Sequence, residues 1–181
     1  MACKKSVALL ILLVGLFSGC GQNAGTPAAT NNKSFPDPLE PRYEASLAEG
    51  IDFRKPGYPN FLVEVSGVAG HENWGRWTDG PVVKFRFKRK LPSKFTLRLG
   101  SGAFGHNMNQ PIIVRAGNVE RYFTVKDPMG KEIFTINFEG VDGADILEIV
   151  PPKPTRPKDI DPKTTDERLL GLAMFSLKIE E

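Results

Sequence analysis

The chain has 181 residues, 40% hydrophobic and 25% charged, with 24 Lys and Arg against 21 Asp and Glu and a formal net charge of +3. That length suits one ordinary domain, and so even a charge balance gives no argument for nucleic acid binding. The two cysteines, Cys3 and Cys20, both fall within the first twenty residues. They leave the rest of the chain without a disulfide framework or a Cys metal site, so the fold must stand on its core.

Lys4 and Lys5 precede an apolar run from Val7 to Phe17, followed by Ser18-Gly19-Cys20. A basic start, a short apolar run and small residues at its end are the pattern of a cleaved export signal. The run is well short of the roughly 20 residues that span a bilayer as a helix. Phe17-Ser18-Gly19-Cys20 resembles the lipobox of bacterial lipoproteins, with Phe17 where that family usually has Leu. The resemblance implies that residues 1–19 are removed as a signal peptide. Cys20 then carries a diacylglyceryl thioether and an N-acyl chain such as palmitate, which meets the need of stable anchoring for more than one chain. An ordinary secretory signal with a cysteine at its cleavage site is the alternative. Gly21, rather than Asp, follows the cysteine; in Gram-negative lipoproteins this favours the outer membrane, with the protein facing the periplasm. Cleavage leaves 162 residues, 22 basic and 21 acidic, so the whole-chain pI of 8.9 overstates the basicity.

Residues 20–45 read as the lipidated cysteine and a flexible tether. Gly, Asn, Thr, Ala and Pro dominate and bury too little surface to order themselves. Such a chain stands a domain roughly 25–30 Å from its anchor. Residues 46–181 read as one domain. Val83/Phe85/Phe87, Phe95/Leu97/Leu99, Phe134/Ile136/Phe138 and Phe175/Leu177/Ile179 alternate with polar residues, the period of half-buried strands. Weaker runs lie at 61–68, 112–115, 120–125 and 146–150, with turn signals such as Asp79-Gly80-Pro81, Gly117-Asn118 and Asp127-Pro128-Met129-Gly130 between them. About eight short strands at this spacing predict an all-β fold, a single antiparallel β-sandwich of jelly-roll type. A helical turn is predicted over Thr164–Leu170, capped by Thr165 or Asp166.

Three segments could carry a site. In His71-Glu72-Asn73-Trp74-Gly75-Arg76-Trp77-Thr78-Asp79-Gly80, two indoles bracket a Gly-Arg step. Flat apolar rings of Trp74 and Trp77 suit the C–H face of a sugar, and Glu72, Arg76 and Asp79 can read hydroxyls. The competing reading is loop packing, with one ring in the core and Arg76 in a salt bridge. The second segment, 102–110, offers His106, Asn107 and Asn109 for the same work, or amides that satisfy their own backbone. In the third, the prolines of 151–157 read as an extended crossing and Asp166 and Arg168 as structural ties. Catalytic patterns are absent: His71 and His106 stand far apart, with no HExxH, no Gly-x-Ser-x-Gly and no phosphate loop. Glu72 and Asp79 could serve glycoside hydrolysis only as a chance pair. No catalytic residue, cofactor or metal is expected.

Taken together, Gly57-Tyr58-Pro59-x-Phe61-Leu62, Glu72-x-Trp74-Gly75-Arg76-Trp77-Thr78-Asp79-Gly80, Leu91-Pro92-x-x-Phe95, Ala103-Phe104-Gly105-x-Asn107, Pro154-Thr155-x-Pro157 and Asp166-x-Arg168-x-Leu170-Gly171 resemble the C-terminal module of membrane-bound phosphoglycerol transferases. Those enzymes decorate osmoregulated periplasmic glucans, and related modules occur on some membrane glycosyltransferases. The resemblance covers roughly residues 50–181 and implies a non-catalytic β-sandwich. The membrane helices and the sulfatase-like metal domain of those enzymes have no counterpart here, so neither their reaction nor their metal transfers. The expectation is a membrane-anchored, non-enzymatic envelope module that binds a periplasmic glycan or a membrane glycan-modifying enzyme. A purely structural or protein-interaction lipoprotein is the alternative.

Overall fold

The computed structural model describes residues 40–128 and 132–181. The predicted signal peptide, Cys20 and residues 20–39 of the predicted tether lie outside the described residues, as does part of the turn at Asp127–Gly130. In chain order the strands are β1 (Arg42–Tyr43), β2 (Ile51–Asp52), β3 (Tyr58–Pro59), β4 (Leu62–Ser66), β5 (Arg76–Asp79) and β6 (Val83–Phe87). They continue as β7 (Lys94–Ala103), β8 (Pro111–Ala116), β9 (Val119–Thr124), β10 (Glu132–Glu139), β11 (Ile146–Val150) and β12 (Leu170–Glu180).

Two antiparallel sheets face each other. The first has the order β10-β7-β12-β2, with β5 also paired to β12; the second runs β4-β6-β11-β8-β9. From β5 to β12 the chain crosses between the sheets so that β5-β12-β7-β10 lies over β6-β11-β8-β9. That is the double Greek-key order of a jelly roll, the architecture read from the alternating hydrophobic pattern. The alternation packs Val83, Phe85 and Phe87 of β6 against Phe95, Leu97 and Leu99 of β7 in one core. Phe95 and Phe138 stack at 4.9 Å. Each such side chain contributes about 1.5–3 kcal/mol when fully buried. The buried hydrophobic residues run from Ile51 to Ile179, so the domain carries its own core.

Three expectations are corrected. The tether ends before residue 45: Arg42 and Tyr43 pair with Tyr58 and Pro59, and Glu40 already reaches the domain through Arg76. The helical turn lies at Pro157–Ile160, with proline at its first position, and not at Thr164–Leu170. There the Asp166 carboxylate accepts the Arg168 backbone N–H at 3.0 Å, a local bond that competes with helix. Phe175 does not face the core with Leu177 and Ile179. A bulge between Met174 and Ser176 shifts the alternation, so Met174 packs inside and Phe175 lies half-buried outside.

Candidate functional site

Strand β5 positions the tryptophan motif. Because neighbouring residues of a strand point to opposite faces, Arg76 and Thr78 turn inward while Trp77 and Asp79 face out. The Arg76 side chain is 2% exposed. Its two terminal nitrogens donate to the Glu40 carboxylate at 3.0 Å each, and its guanidinium lies 4.6 Å from the centre of the Tyr58 ring. Thr78 is fully buried and accepts the backbone N–H groups of Gly171 and Leu172 at 3.0 and 2.9 Å. These donors sit where the β5–β12 register shifts, so the hydroxyl satisfies groups the ladder leaves over. Asp79 accepts the Leu169 N–H at 2.9 Å. Burial also drives the Tyr58 phenol well above its usual value.

The second element is a herringbone of rings on the outer face of the first sheet. Trp74 meets Trp77 at 5.2 Å and Phe175 at 5.8 Å, and Trp77 meets Phe104 at 5.7 Å, all edge to face. Such pairs add about 0.5–1.5 kcal/mol each beyond their burial. The Trp74 indole N–H donates to Glu72 at 2.8 Å. The other Glu72 oxygen accepts from Arg168 at 2.9 Å, and Arg168 also donates to Asp166 at 2.7 Å. These bonds hold the Asp166 carboxyl below the usual carboxylate range and push the Arg168 guanidinium up. Gly75 lets the chain pass between the rings: at φ +155°, a side-chain carbon there would lie 2.3 Å from the Met174 carbonyl oxygen.

Beside these rings the sheet carries almost no side chains. Across the ladder Trp77 is level with Ala173 and Gly102, and Ile133 with Gly100 and Ser176. A surface cavity of about 430 Å³ results, lined by Trp74, Phe175, Gly100, Ser176, Ile133 and Arg54. Its walls are rings and an aliphatic side chain that is 59% exposed; its floor is glycine backbone. Arg54 is forked onto Asp52 at 2.8 and 3.1 Å.

The eight candidate binding residues therefore separate. Trp74, Trp77 and Glu72 come together, Glu72 as the brace of Trp74. Two candidates are corrected. Arg76 is sealed inside by its bond to Glu40, and Asn107 is fully buried. The Asn107 amide donates to the carbonyls of Phe104 and Lys153 at 2.8 and 2.9 Å and accepts the Lys153 N–H at 2.8 Å. Neither can meet a ligand from solvent. Asp79 is exposed, with one oxygen occupied by Leu169. His106 and Asn109 are exposed on the loop after Phe104, Asn109 at φ 58°. Among the described residues, no group of three His, Cys, Asp or Glu side chains is placed to hold a metal ion. Sequence reasoning missed Phe175, Ile133 and the bare floor at Gly100. The Gly100-Ser101-Gly102 run was the available signal, since glycine inside a strand marks close approach.

The fold and this face define a jelly-roll module with a small aromatic groove. The chain belongs to the family DUF7024, described as a domain of unknown function, whose profile matches residues 39–181. It is 34% identical over 139 residues to phosphoglycerol transferase I of Escherichia coli O139:H28, covering 74% of this chain and 18% of that protein. The phosphoglycerol transferases I of Shigella boydii serotype 18 and E. coli O157:H7 match with the same figures. The chain thus spans about a fifth of the length of these curated relatives. The likeness read from the tryptophan and proline motifs is a family relationship. No solved structure matches the chain.

Proposed function

We propose that this chain is a non-catalytic module of the cell envelope that holds a glycan in the Trp74–Phe175–Ile133 groove. It is anchored through a lipid on Cys20, on the outer membrane facing the periplasm. The observation that carries the reading is the pair of half-buried rings, Trp74 and Phe175, standing beside a floor without side chains at Gly100. A sugar ring stacks its C–H face on an indole that is already fixed, so little ordering entropy is lost. The Glu72–Arg168–Asp166 chain supplies that fixing. The relatives' name places phosphoglycerol transfer close to this family, and a glycan acceptor suits that chemistry. Titration calorimetry of residues 40–181 with β-linked glucan oligosaccharides tests it. Wild type binds, Trp74→Ala loses at least about tenfold, the 1.4 kcal/mol expected for one lost stacking contact, and His106→Ala binds normally. Absence of binding by wild type, or equal binding by Trp74→Ala, removes the glycan reading.

The second reading, a protein-interaction lipoprotein, is favoured by one observation. Ile133 is a large apolar side chain left exposed and suits an apolar contact with a membrane glycan-handling enzyme. The calorimetry separates the two: a protein-interaction module shows no binding of glucan oligosaccharides by wild type, whereas a glycan module binds them and loses them in Trp74→Ala.

A further inference from the structure

The second cavity of note lies away from the groove, where the turn after β6 meets the N-terminal segment. Five of the seven residues from Lys84 to Lys90 are basic. Lys84 pairs with Glu148 at 3.1 Å, Arg86 with Glu64 at 3.2 Å and Lys90, loosely, with Asp145 at 3.8 Å. Lys88 and Arg89 are exposed and make no ion pair among the described residues. The turn that carries them is stiff. The N–H groups of Phe87, Lys88 and Leu91 donate to the carbonyls of Asp145, Phe61 and Ala144 at 2.7, 2.8 and 2.7 Å. Phe61 and Phe87 stack beneath it, 5.9 Å apart and nearly parallel. Between Lys88–Lys90 and Glu44–Leu47 opens a cavity of about 650 Å³. The one acid lining it, Glu44, is bonded to the Asn60 amide.

Two facts identify the occupant. Three backbone donors of the turn, those of Phe87, Lys88 and Leu91, are already used, and every cation lining the cavity is exposed. A small-anion site would instead converge buried donors on one point; a row of exposed cations suits an extended anionic surface. The second fact is where the undescribed part of the chain joins. Glu40 is four residues from Glu44, at most about 14 Å of extended chain. The first described residue therefore lies within that reach of the Glu44 wall of the cavity.

We propose that the Lys88–Lys90 turn docks on an anionic lipid surface, so that this end of the domain lies against the membrane. The inference rests on the lipid-anchor reading only for its biological setting; the docking itself is a property of residues 40–181. Attraction of this kind acts within a Debye length, so it weakens with salt. It gives the anchored domain a fixed orientation, with the basic turn inward.

Cosedimentation of residues 40–181 with vesicles tests it, since this segment carries its own core. At low salt the domain partitions on the order of tenfold more onto phosphatidylglycerol/phosphatidylcholine vesicles than onto phosphatidylcholine alone. The excess disappears in about 0.5 M salt and in Lys88→Glu/Arg89→Glu, but persists in Lys163→Glu, a control at another exposed lysine. Circular dichroism verifies that each variant is folded. Equal partition onto both vesicle types, or a double variant that binds like the control, overturns the proposal. Failure of the anchor reading shows separately, as loss of no acyl label from the full chain in Cys20→Ala.

Discussion

Replacing Glu40 by alanine leaves Arg76 as a buried cation without its counter-ion. Arg76 is 1% exposed and loses both 3.0 Å charge-assisted bonds. It keeps one long bond to the Ala69 carbonyl at 3.4 Å and the Tyr58 ring, and its Nε has no hydrogen-bond partner. Removing one member of a buried pair costs about 3–5 kcal/mol. The Glu40 side chain is 23% exposed, so water can reach the vacated side, and we expect about 2–4 kcal/mol. At roughly 3–5 °C per kcal/mol for a domain of this size, Tm falls by roughly 6–20 °C. Arg76→Met alone should cost less, because it leaves a carboxylate that can turn to solvent. The double variant Glu40→Ala/Arg76→Met should recover most of the loss, since an apolar replacement of a buried pair is close to neutral. Urea unfolding of residues 40–181, followed by fluorescence of Trp74 and Trp77, measures all three. A cost below about 0.5 kcal/mol for Glu40→Ala, or single costs that add in the double variant, would refute the reasoning.

Thr78→Val keeps the shape but strips the acceptor from two buried N–H groups; denaturant unfolding should show a loss of about 1–3 kcal/mol. Asn107→Ala frees the Lys153 N–H and takes one of two bonds from each of the Lys153 and Phe104 carbonyls, which keep the Thr155 hydroxyl and the residue 107 N–H. The same assay should give about 1–3 kcal/mol, and hydrogen exchange should rise first at Lys153. For Asp166, the Arg168 hydrogen bonds lower the folded carboxyl below its unfolded value of about 3.9. Its contribution is therefore full above that value and fades as pH falls through the folded pKa. Asp166→Asn should be less stable than wild type at pH near 7, with the gap closing below about pH 4; a gap of constant size contradicts the assignment.

The sandwich was legible because an interior strand of each sheet alternates cleanly: Val83, Phe85 and Phe87 of β6 and Phe95, Leu97 and Leu99 of β7 all reach the core. Strand β5 was not, because its inward positions hold Arg76 and Thr78. Their burial makes sense only with Glu40 and the β12 register shift in place, partners distant in the chain. The bulge at Phe175 was equally silent, since one extra residue changes no composition and yet moves a ring from core to groove. The motif at 72–79 did single out the right neighbourhood. Its polar residues hold the rings in place, and the wall opposite them comes from Ile133, far along the chain.

The Glu40–Arg76 clasp also has a mechanical meaning. Any tension carried by the chain from residue 39 reaches the domain at Glu40. It is transferred at once to Arg76 in β5, which is laced to the long β12 at the middle of the sheet. Load thus enters at β5 and passes through the β5–β12 ladder to the longest strand of the sheet. Until the clasp opens, the short β1–β3 pair behind it is shielded from the pull.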